Sequence, residues 1–280
     1  MNGTSNPERL LSVVTVVRND LAGLKDTLAS VQERLAAPVA EGLIEHIVID
    51  GSTDTQVSDH LRAHLVPHLT WISESDRGIY DAMNKGLVRA SGRFVLFMNA
   101  GDSFSPCFDW QALAPYLRVE QRVLIAYAVE CFARDRYLRP GLGREGNAFG
   151  APSHQATFYP HTFFQQARYR LDLPVKGDGE YTERALEAVG GLFVPVLVAE
   201  FALGGVSTNY MRLAVLKRRL AEQVSAAEQV KLMVKFMLWR VVPQRWFYRL
   251  LAVGKYTPLD QGVMPTLRAT PLEGPRRRAG

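Results

Sequence analysis

Two aspartates stand where apolar runs stop. Ile47-Val48-Ile49-Asp50 leads into Gly51-Ser52-Thr53-Asp54, and Arg93 to Met98 leads into Asn99-Ala100-Gly101-Asp102. A buried strand that opens into small residues and then an acid delivers a carboxylate to the end of a sheet. In open α/β sheets, ligands bind at the carboxyl ends of the strands. Asp102 has the chemistry of a Mg²⁺ or Mn²⁺ ligand, since these ions take oxygen donors and often only one or two protein carboxylates plus phosphates. The ordinary alternative for Asp102 is a cap on the next turn. Asp50 suits hydrogen bonds from a ribose or a base, or an Asx turn over the following Gly-Ser-Thr.

Other polar groups gather near the same strand ends. Thr15, Arg18 and Asn19 close the first apolar run and suit a nucleotide, or a polar loop that caps the next helix. Asp76 to Gly86 is dense in charge: Arg77 and Lys85 could meet phosphates, with Asn84 beside them. The plain reading of the same segment is a solvated helix face with Asp81 and Lys85 as an i,i+4 pair. His154-Gln155 follows a Gly/Pro-rich stretch, where a histidine can position an anion or a metal or be merely structural. Asp178 and Glu180, in Lys176-Gly177-Asp178-Gly179-Glu180, are candidate general bases before a helix or its N-cap. Gly141-Leu142-Gly143-Arg144-Glu145-Gly146 matches a dinucleotide fingerprint. It lacks the strand before it and the acid beyond it, so it reads as a loop beside the site.

These residues need a scaffold, and the periodicity predicts one. Leu11–Val17, Ile44–Ile49, Leu69–Ser73 and Arg93–Met98 read as strands. Leu24–Leu35, ended by Pro38, Thr55–Leu65 and Ile79–Ala90 read as helices. The alternation predicts βαβ units and a mainly parallel sheet. Beyond Asp102 a strand is expected over Arg122–Val129, a loop over 134–153, helices over Phe163–Arg168 and Tyr181–Val189, and a strand over Leu192–Ala199. Met211–Val253 is expected to be helical and broken at Pro243.

Charge divides the chain of 280 residues unevenly. Residues 1–210 hold 19 Lys and Arg against 24 Asp and Glu, whereas residues 211–256 hold ten against Glu222 and Glu228. The basic balance therefore belongs to the C-terminal part and predicts an acidic partner there. Cys107 and Cys131 are too few for a disulfide scaffold or a metal cluster. The start, Met1–Pro7, carries no cationic-then-apolar signal, and no run is long enough to span a bilayer, so a cytoplasmic protein is expected.

Taken in order, the segments resemble family 2 glycosyltransferases of the GT-A fold, of the bacterial type that builds exopolysaccharide and envelope glycans. The resemblance covers about residues 10–208. It is carried by Ser12 to Asn19, Val48 to Asp54, Glu74 to Gly86, Met98 to Asp102, His154-Gln155, Asp178 and Gly204-Gly205-Val206-Ser207. It implies inverting transfer from a nucleotide-diphosphate-sugar. Thr15 and Asp50 would contact the nucleoside, Asp102 would bind a divalent Mg or Mn, and Asp178 would be the base, with Glu180 as its alternative. Arg18, Asn19, Arg77, Asn84 and Lys85 are assigned to the donor, and His154 and Gln155 to the acceptor side. The chain departs from the family at Asn99-Ala100-Gly101-Asp102, where only the last acid of the metal motif remains. It departs again at Met83, where many relatives carry Arg.

The expected organisation is an α/β, Rossmann-like GT-A domain over 1–210, a basic amphipathic helical extension over 211–256 and a disordered tail over 257–280. Cations mixed with Trp and Phe over 211–256 suit a helix lying on a membrane. The same pattern also suits a helix packed on the domain. The expectation is thus a cytoplasmic enzyme on the inner face of the cell membrane that extends a lipid-linked glycan. Nucleic acid is not expected as a partner. Two rivals are a non-catalytic adaptor of the same fold and a sugar nucleotidyltransferase. Arg18 to Gly23 lacks the Gly-rich phosphate loop that the latter requires.

Overall fold

The computed structural model describes residues 9–202 except 65, 133–134, 143–147, 150 and 174–176, and also 225–243, 246–247, 249–250, 257–259 and 270–272. Four parallel strands form its first half: β1 (Leu11–Val17), β2 (Ile44–Asp50), β3 (Leu69–Ser73) and β4 (Phe94–Phe97). They lie in the order β3-β2-β1-β4. The register sets Val17 opposite Asp50 and Asp50 opposite Ser73, so three of these strands finish in step. Every residue of β1, β2 and β4 is buried, as expected of parallel strands covered on both faces.

The sheet then turns antiparallel. β10 (Thr157–Pro160) runs against β4 and joins it to β6 (Val123–Phe132). β6 pairs in parallel with the long β11 (Gly191–Ala202). β5 (Ser103–Phe104) pairs with β11. The result is a mixed sheet with a parallel half.

Helices cover both faces. On one side, α1 (Leu21–Ala40) and α4 (Trp110–Val119) bury Val31, Leu35, Leu113 and Leu117 against Leu11, Val13, Leu96 and Leu124. On the other, α3 (Ile79–Arg89) and α6 (Gly177–Val189) bury Met83, Leu87, Tyr181 and Ala185 against Val14, Val95 and Phe97. α2 (Gln56–Ala63) closes the β2–β3 crossover. Gly86 brings α3 onto β1: an added Cβ there would lie 2.4 Å from Val14 Cγ1. Apolar burial of this kind contributes about 25 cal/mol per Å².

Several expectations change. α1 begins earlier because Asp20 accepts from the Gly23 N–H, and it continues to Ala40 with Pro38 in its last turn. Residues 134–153 are not simply a loop: β7 (Asp135–Arg139) forms a hairpin with β6, and β8 (Gly141–Leu142) pairs with β9 (Ala148–Phe149). Their Gly and Pro hide pairing that only a neighbouring strand supplies. The helix expected over Phe163–Arg168 is one turn, α5 (His161–Phe164). α6 starts at Gly177, so Asp178 and Glu180 lie in its first turn rather than before it. The tail expected to be disordered contains β12 (Thr257–Pro258), paired with β7, and β13 (Thr270–Leu272), paired with β11. Residues 203–224, with most of the first half of the expected helical tract and Gly204 to Ser207, fall outside the described residues. Its second half forms α7 (Ala226–Val241).

Candidate active site

The loops after β1, β2, β3 and β4 meet at one end of the sheet and are stitched to each other. Asn19 adopts a left-handed conformation with φ of 54°. Its Oδ1 accepts from the Thr53 N–H at 2.8 Å, and its own N–H donates to Ser52 Oγ at 2.9 Å. Asp50 is fully buried; Oδ1 accepts from the Ser52 N–H and Oδ2 from Ser73 Oγ. Asp50 thus forms the Asx turn and ties the third strand to it. Asp76 packs its carboxylate on bare Gly51 backbone, where an added Cβ would lie 1.6 Å from Oδ2. Asp76 also accepts from the Gly78 N–H at 2.9 Å and lies 3.5 Å from the exposed Arg18 guanidinium. The sequence reading placed Asp76 in a charged cluster but gave it no site role.

The other donor-side candidates divide by exposure. The Thr15 hydroxyl is inside the molecule, 2.8 Å from His46 Nε2. Burial and then His68 press the pKa of His46 down to about 3, keeping the ring neutral. Asn84 is spent on the Tyr169 backbone: its Nδ2 donates to the carbonyl at 3.0 Å, and its Oδ1 accepts from the N–H at 2.7 Å. Lys85 Nζ donates to the Ser75 carbonyl at 2.6 Å and pairs with Glu74 at 3.1 Å. The expected Asp81–Lys85 pair is therefore replaced, and Asp81 instead binds the Arg77 N–H and guanidinium. Asn84 ties α3 to the backbone at Tyr169, and Lys85 holds the 74–78 loop in place. Arg18 and Arg77 remain exposed at its rim.

A second group forms where β4 ends and α6 begins. Gly101, with φ of 91°, allows the turn that folds Asp102 back beneath Asn99. Asp102 Oδ2 accepts from the Asn99 N–H at 2.9 Å and from Gln155 Nε2 at 3.2 Å. Burial lifts its carboxyl to about 6, against the pull of His154, Gln155 and the Asn99 N–H. Asn99 Nδ2 lies 3.1 Å from His154 Nε2, and His154 Nδ1 lies 3.4 Å from Asp178 Oδ2. That arrangement suits the imidazole tautomer with its proton on Nδ1. One chain of contacts therefore links Asp178, His154 and Asn99 to Asp102.

Asp178 is partly open and strongly supported. Burial alone would raise its pKa, but His154, the Gly179 N–H and Arg139 outweigh that and hold the carboxyl well below the usual carboxylate range. Tyr80 Oη donates to Asp178 Oδ1 at 3.3 Å and accepts from the Gly177 N–H at 2.9 Å. Burial and the charge of Asp178 push that phenol up to about 12. Tyr80 stacks on Tyr169, which stacks on Tyr181, so the base rests on a column of rings. Sequence reasoning missed Tyr80 and Arg139; only the place of Tyr80 beside the charged 76–86 cluster hinted at it. Glu180 is turned along its own helix into a two-pronged pair with Arg184 at 2.7 and 3.1 Å.

The oxygen donors near Asp102 are few. Asn99 Oδ1 is buried with no hydrogen-bond partner, and it lies one short turn from the Asp102 carboxylate. No cluster of three His, Cys, Asp or Glu able to hold a metal occurs among the described residues. This set fits an ion held mainly by a ligand's phosphates, with one carboxylate and one amide oxygen from the protein.

The profile described as Glycosyl transferase family 2 matches residues 12–173, the span that contains β1 to β4, Asp102 and His154. The chain belongs to this family. A Mycobacterium tuberculosis protein described as an uncharacterized glycosyltransferase is 31% identical over 210 residues, covering 71% of this chain and 77% of its own. A Mycobacterium bovis protein described as a PGL/p-HBAD biosynthesis glycosyltransferase is 26% identical over 224 residues, covering 75% and 83%. Among solved structures, S. aureus TarS 1-349 in complex with UDP-GlcNAc superposes with a TM-score of 0.53 at 17% identity, over 86% of this chain and 75% of that one. The complex of the same protein with UDP gives a TM-score of 0.52. At such identity the likeness shows the fold, which is GT-A. The protein is a glycosyltransferase.

Proposed function

We propose that this glycosyltransferase moves a sugar, with inversion, from a nucleotide-diphosphate donor to a hydroxyl of a lipid-linked or polysaccharide acceptor on the inner face of the cell membrane. The observation that carries this reading is the pair of unlike carboxylates, Asp102 and Asp178, joined through Asn99 and His154 beside the donor-side loops. The complexes of TarS with UDP and with UDP-GlcNAc support a nucleotide-sugar as donor. The biosynthetic name of the mycobacterial relative supports a glycan acceptor.

In this reading the buried turn at Asp50 receives the nucleoside, and Arg18 and Arg77 meet the phosphates from the rim. Asp102 and Asn99 Oδ1 would hold a Mg²⁺ or Mn²⁺, which when bound neutralises charge on the leaving diphosphate. Asp178, kept ionised by His154, Tyr80 and Arg139, accepts the proton of the acceptor hydroxyl as that oxygen attacks the anomeric carbon. A carboxylate with so low a proton affinity takes that proton only once attack has acidified the hydroxyl, so proton transfer runs with bond formation and not before it. His154 and Gln155 line the acceptor side, with His154 setting the angle of the base.

A thermal-shift screen of UDP-, GDP- and dTDP-sugars with and without Mn²⁺ tests the proposal. A ligand that binds only the folded state adds about 2.7 kcal/mol of stability by mass action at 100 times its dissociation constant, and so raises the midpoint. The expected result is a shift with one nucleotide class, larger with Mn²⁺, followed by slow release of free sugar from that donor. No shift and no release with any of them would overturn the reading.

A further inference from the structure

α7 presents a broad apolar face to solvent. Val230, Met233, Val234, Met237, Leu238 and Val241 are 40 to 79% exposed. At about 100° per residue they fall on one stripe roughly 140° wide. Lys231 and Arg240 lie at its two borders, roughly 90° to either side of its centre on the same count, and both are exposed. The opposite face is different: Leu232, Phe236 and Trp239 are half-buried. So the helix turns one apolar face inward and a second, larger one outward.

The next segment fixes this helix to the catalytic domain. After Pro243, Phe247 is buried, and Arg249 makes a two-pronged pair with Asp135 of β7 at 2.8 and 3.1 Å. Trp246 and Leu250, either side of this anchor, are both more than half exposed. Two further exposed apolar side chains, one aromatic and one aliphatic, thus follow the proline.

We infer that α7 lies in the headgroup plane of an anionic lipid bilayer, with its outward stripe in the acyl boundary and Lys231 and Arg240 reaching the phosphates. This gives a surface to the membrane contact proposed above and rests on that reading. Charge decides between possible occupants. The exposed charges that border the stripe are Lys231 and Arg240, and the sequence around them, residues 211–256, carries ten Lys and Arg against two Glu, so a second copy would bring few acids to meet these cations. An anionic bilayer complements them, and it accepts an apolar stripe bordered by basic side chains whose stems lie along the interface. No helix among the described residues is long and apolar enough to cross a membrane. Contact in the plane of the interface is the mode this helix fits.

The test uses the full chain and vesicles of phosphatidylcholine with and without phosphatidylglycerol. The wild type is expected to float with the mixed vesicles and to be released by high salt. Met237→Glu with Val241→Glu should lower vesicle affinity at least about tenfold, with thermal midpoint and donor hydrolysis unchanged. Val119→Glu, on exposed α4 surface, should float as the wild type does. Lys231→Glu with Arg240→Glu should reduce the difference between the two vesicle types. Equal flotation of the stripe variant and the wild type would overturn the assignment. So would a wild type that ignores vesicles and forms a dimer broken by the stripe substitutions. Because donor hydrolysis is read on the same samples, a wild type that hydrolyses the donor but ignores vesicles counts against this surface alone. Absence of hydrolysis in the wild type counts against the transfer reading instead.

Discussion

The two ends of the parallel strands treat charge in opposite ways. At the N-terminal end, Glu45 is fully engaged: Oε1 accepts from Ser12 Oγ at 2.6 Å and from the N–H and Oγ of Ser91, and Oε2 pairs with Arg9 at 2.9 Å. Ser12 Oγ in turn accepts from the Gly92 N–H. At the C-terminal end, Asp102 shares two donors on one oxygen, Asn99 Oδ1 has no partner, and burial holds the Asp102 carboxyl at about 6. Both ends belong to the same strands and the same core. At the first, the carboxylate of Glu45 is saturated with donors and only Arg9 Nε is buried without a partner; at the second, an acceptor oxygen, Asn99 Oδ1, is left open beside a carboxylate with a raised pKa. Buried polar groups are normally satisfied, and the open acceptor Asn99 Oδ1 stands beside Asp102, His154 and the donor-side loops, which marks the C-terminal end as the site.

Substitutions can break this contrast. The largest effect is expected at Asp178. Asp178→Asn should lower transfer by about 10²–10⁴-fold, the usual contribution of a positioned general base, while the nucleotide-sugar still shifts the thermal midpoint. Glu180→Gln should leave transfer near the wild-type rate, because that carboxylate is engaged with Arg184. Steady-state kinetics on the two variants side by side checks this, and the opposite order would move the base to Glu180.

Next in size is the closed end. Glu45→Ala strips partners from Ser12, Ser91 and Arg9 and should cost about 2–3 kcal/mol in urea unfolding, with donor affinity unchanged in the folded protein. A loss of donor affinity at constant stability would blur the two ends into one.

A smaller effect of opposite sign is expected at the open end. The folded-state pKa of Asp102 is raised, so between about pH 4 and 6 the folded protein binds more protons than the unfolded chain, and stability falls as pH rises through that window. The cost is fully present at pH 7. Asp102→Asn removes it and should raise stability there by roughly 1–2 kcal/mol, while the Mn²⁺-dependent part of donor binding disappears. A destabilised variant that keeps Mn²⁺-dependent binding would mean that Asp102 serves the fold.

Much of this was legible before any coordinates. Uninterrupted apolar runs can only be buried parallel strands once helical periods separate them, so β1 to β4 and the acids at their ends followed from pattern alone. The roles of Asn84 and Lys85 did not. Helical spacing places them on the surface of α3, but their partners are the Tyr169 backbone, 85 residues away, and a loop carbonyl. Spacing cannot show which donors the fold will consume. Thr15 was misjudged for a related reason: alternation along a strand shows that side chains take turns between faces, but not that His46 waits on one of them. The link from Asp178 to His154 and Tyr80 joins segments 24 and 98 residues apart, and no local signal encodes it. β7 was hidden because its Gly and Pro neighbours read as loop until β6 offers an edge.

The fold gives two neighbouring aspartates unlike proton affinities: burial raises that of Asp102, and His154, the Gly179 N–H and Arg139 lower that of Asp178. A carbon-13 carboxyl NMR titration of the ligand-free protein measures this directly. Asp102 is expected to titrate near pH 6, and Asp178 to stay ionised below the 3.8 of an unperturbed aspartate. Two ordinary, coincident titrations, or the reverse order, would contradict this.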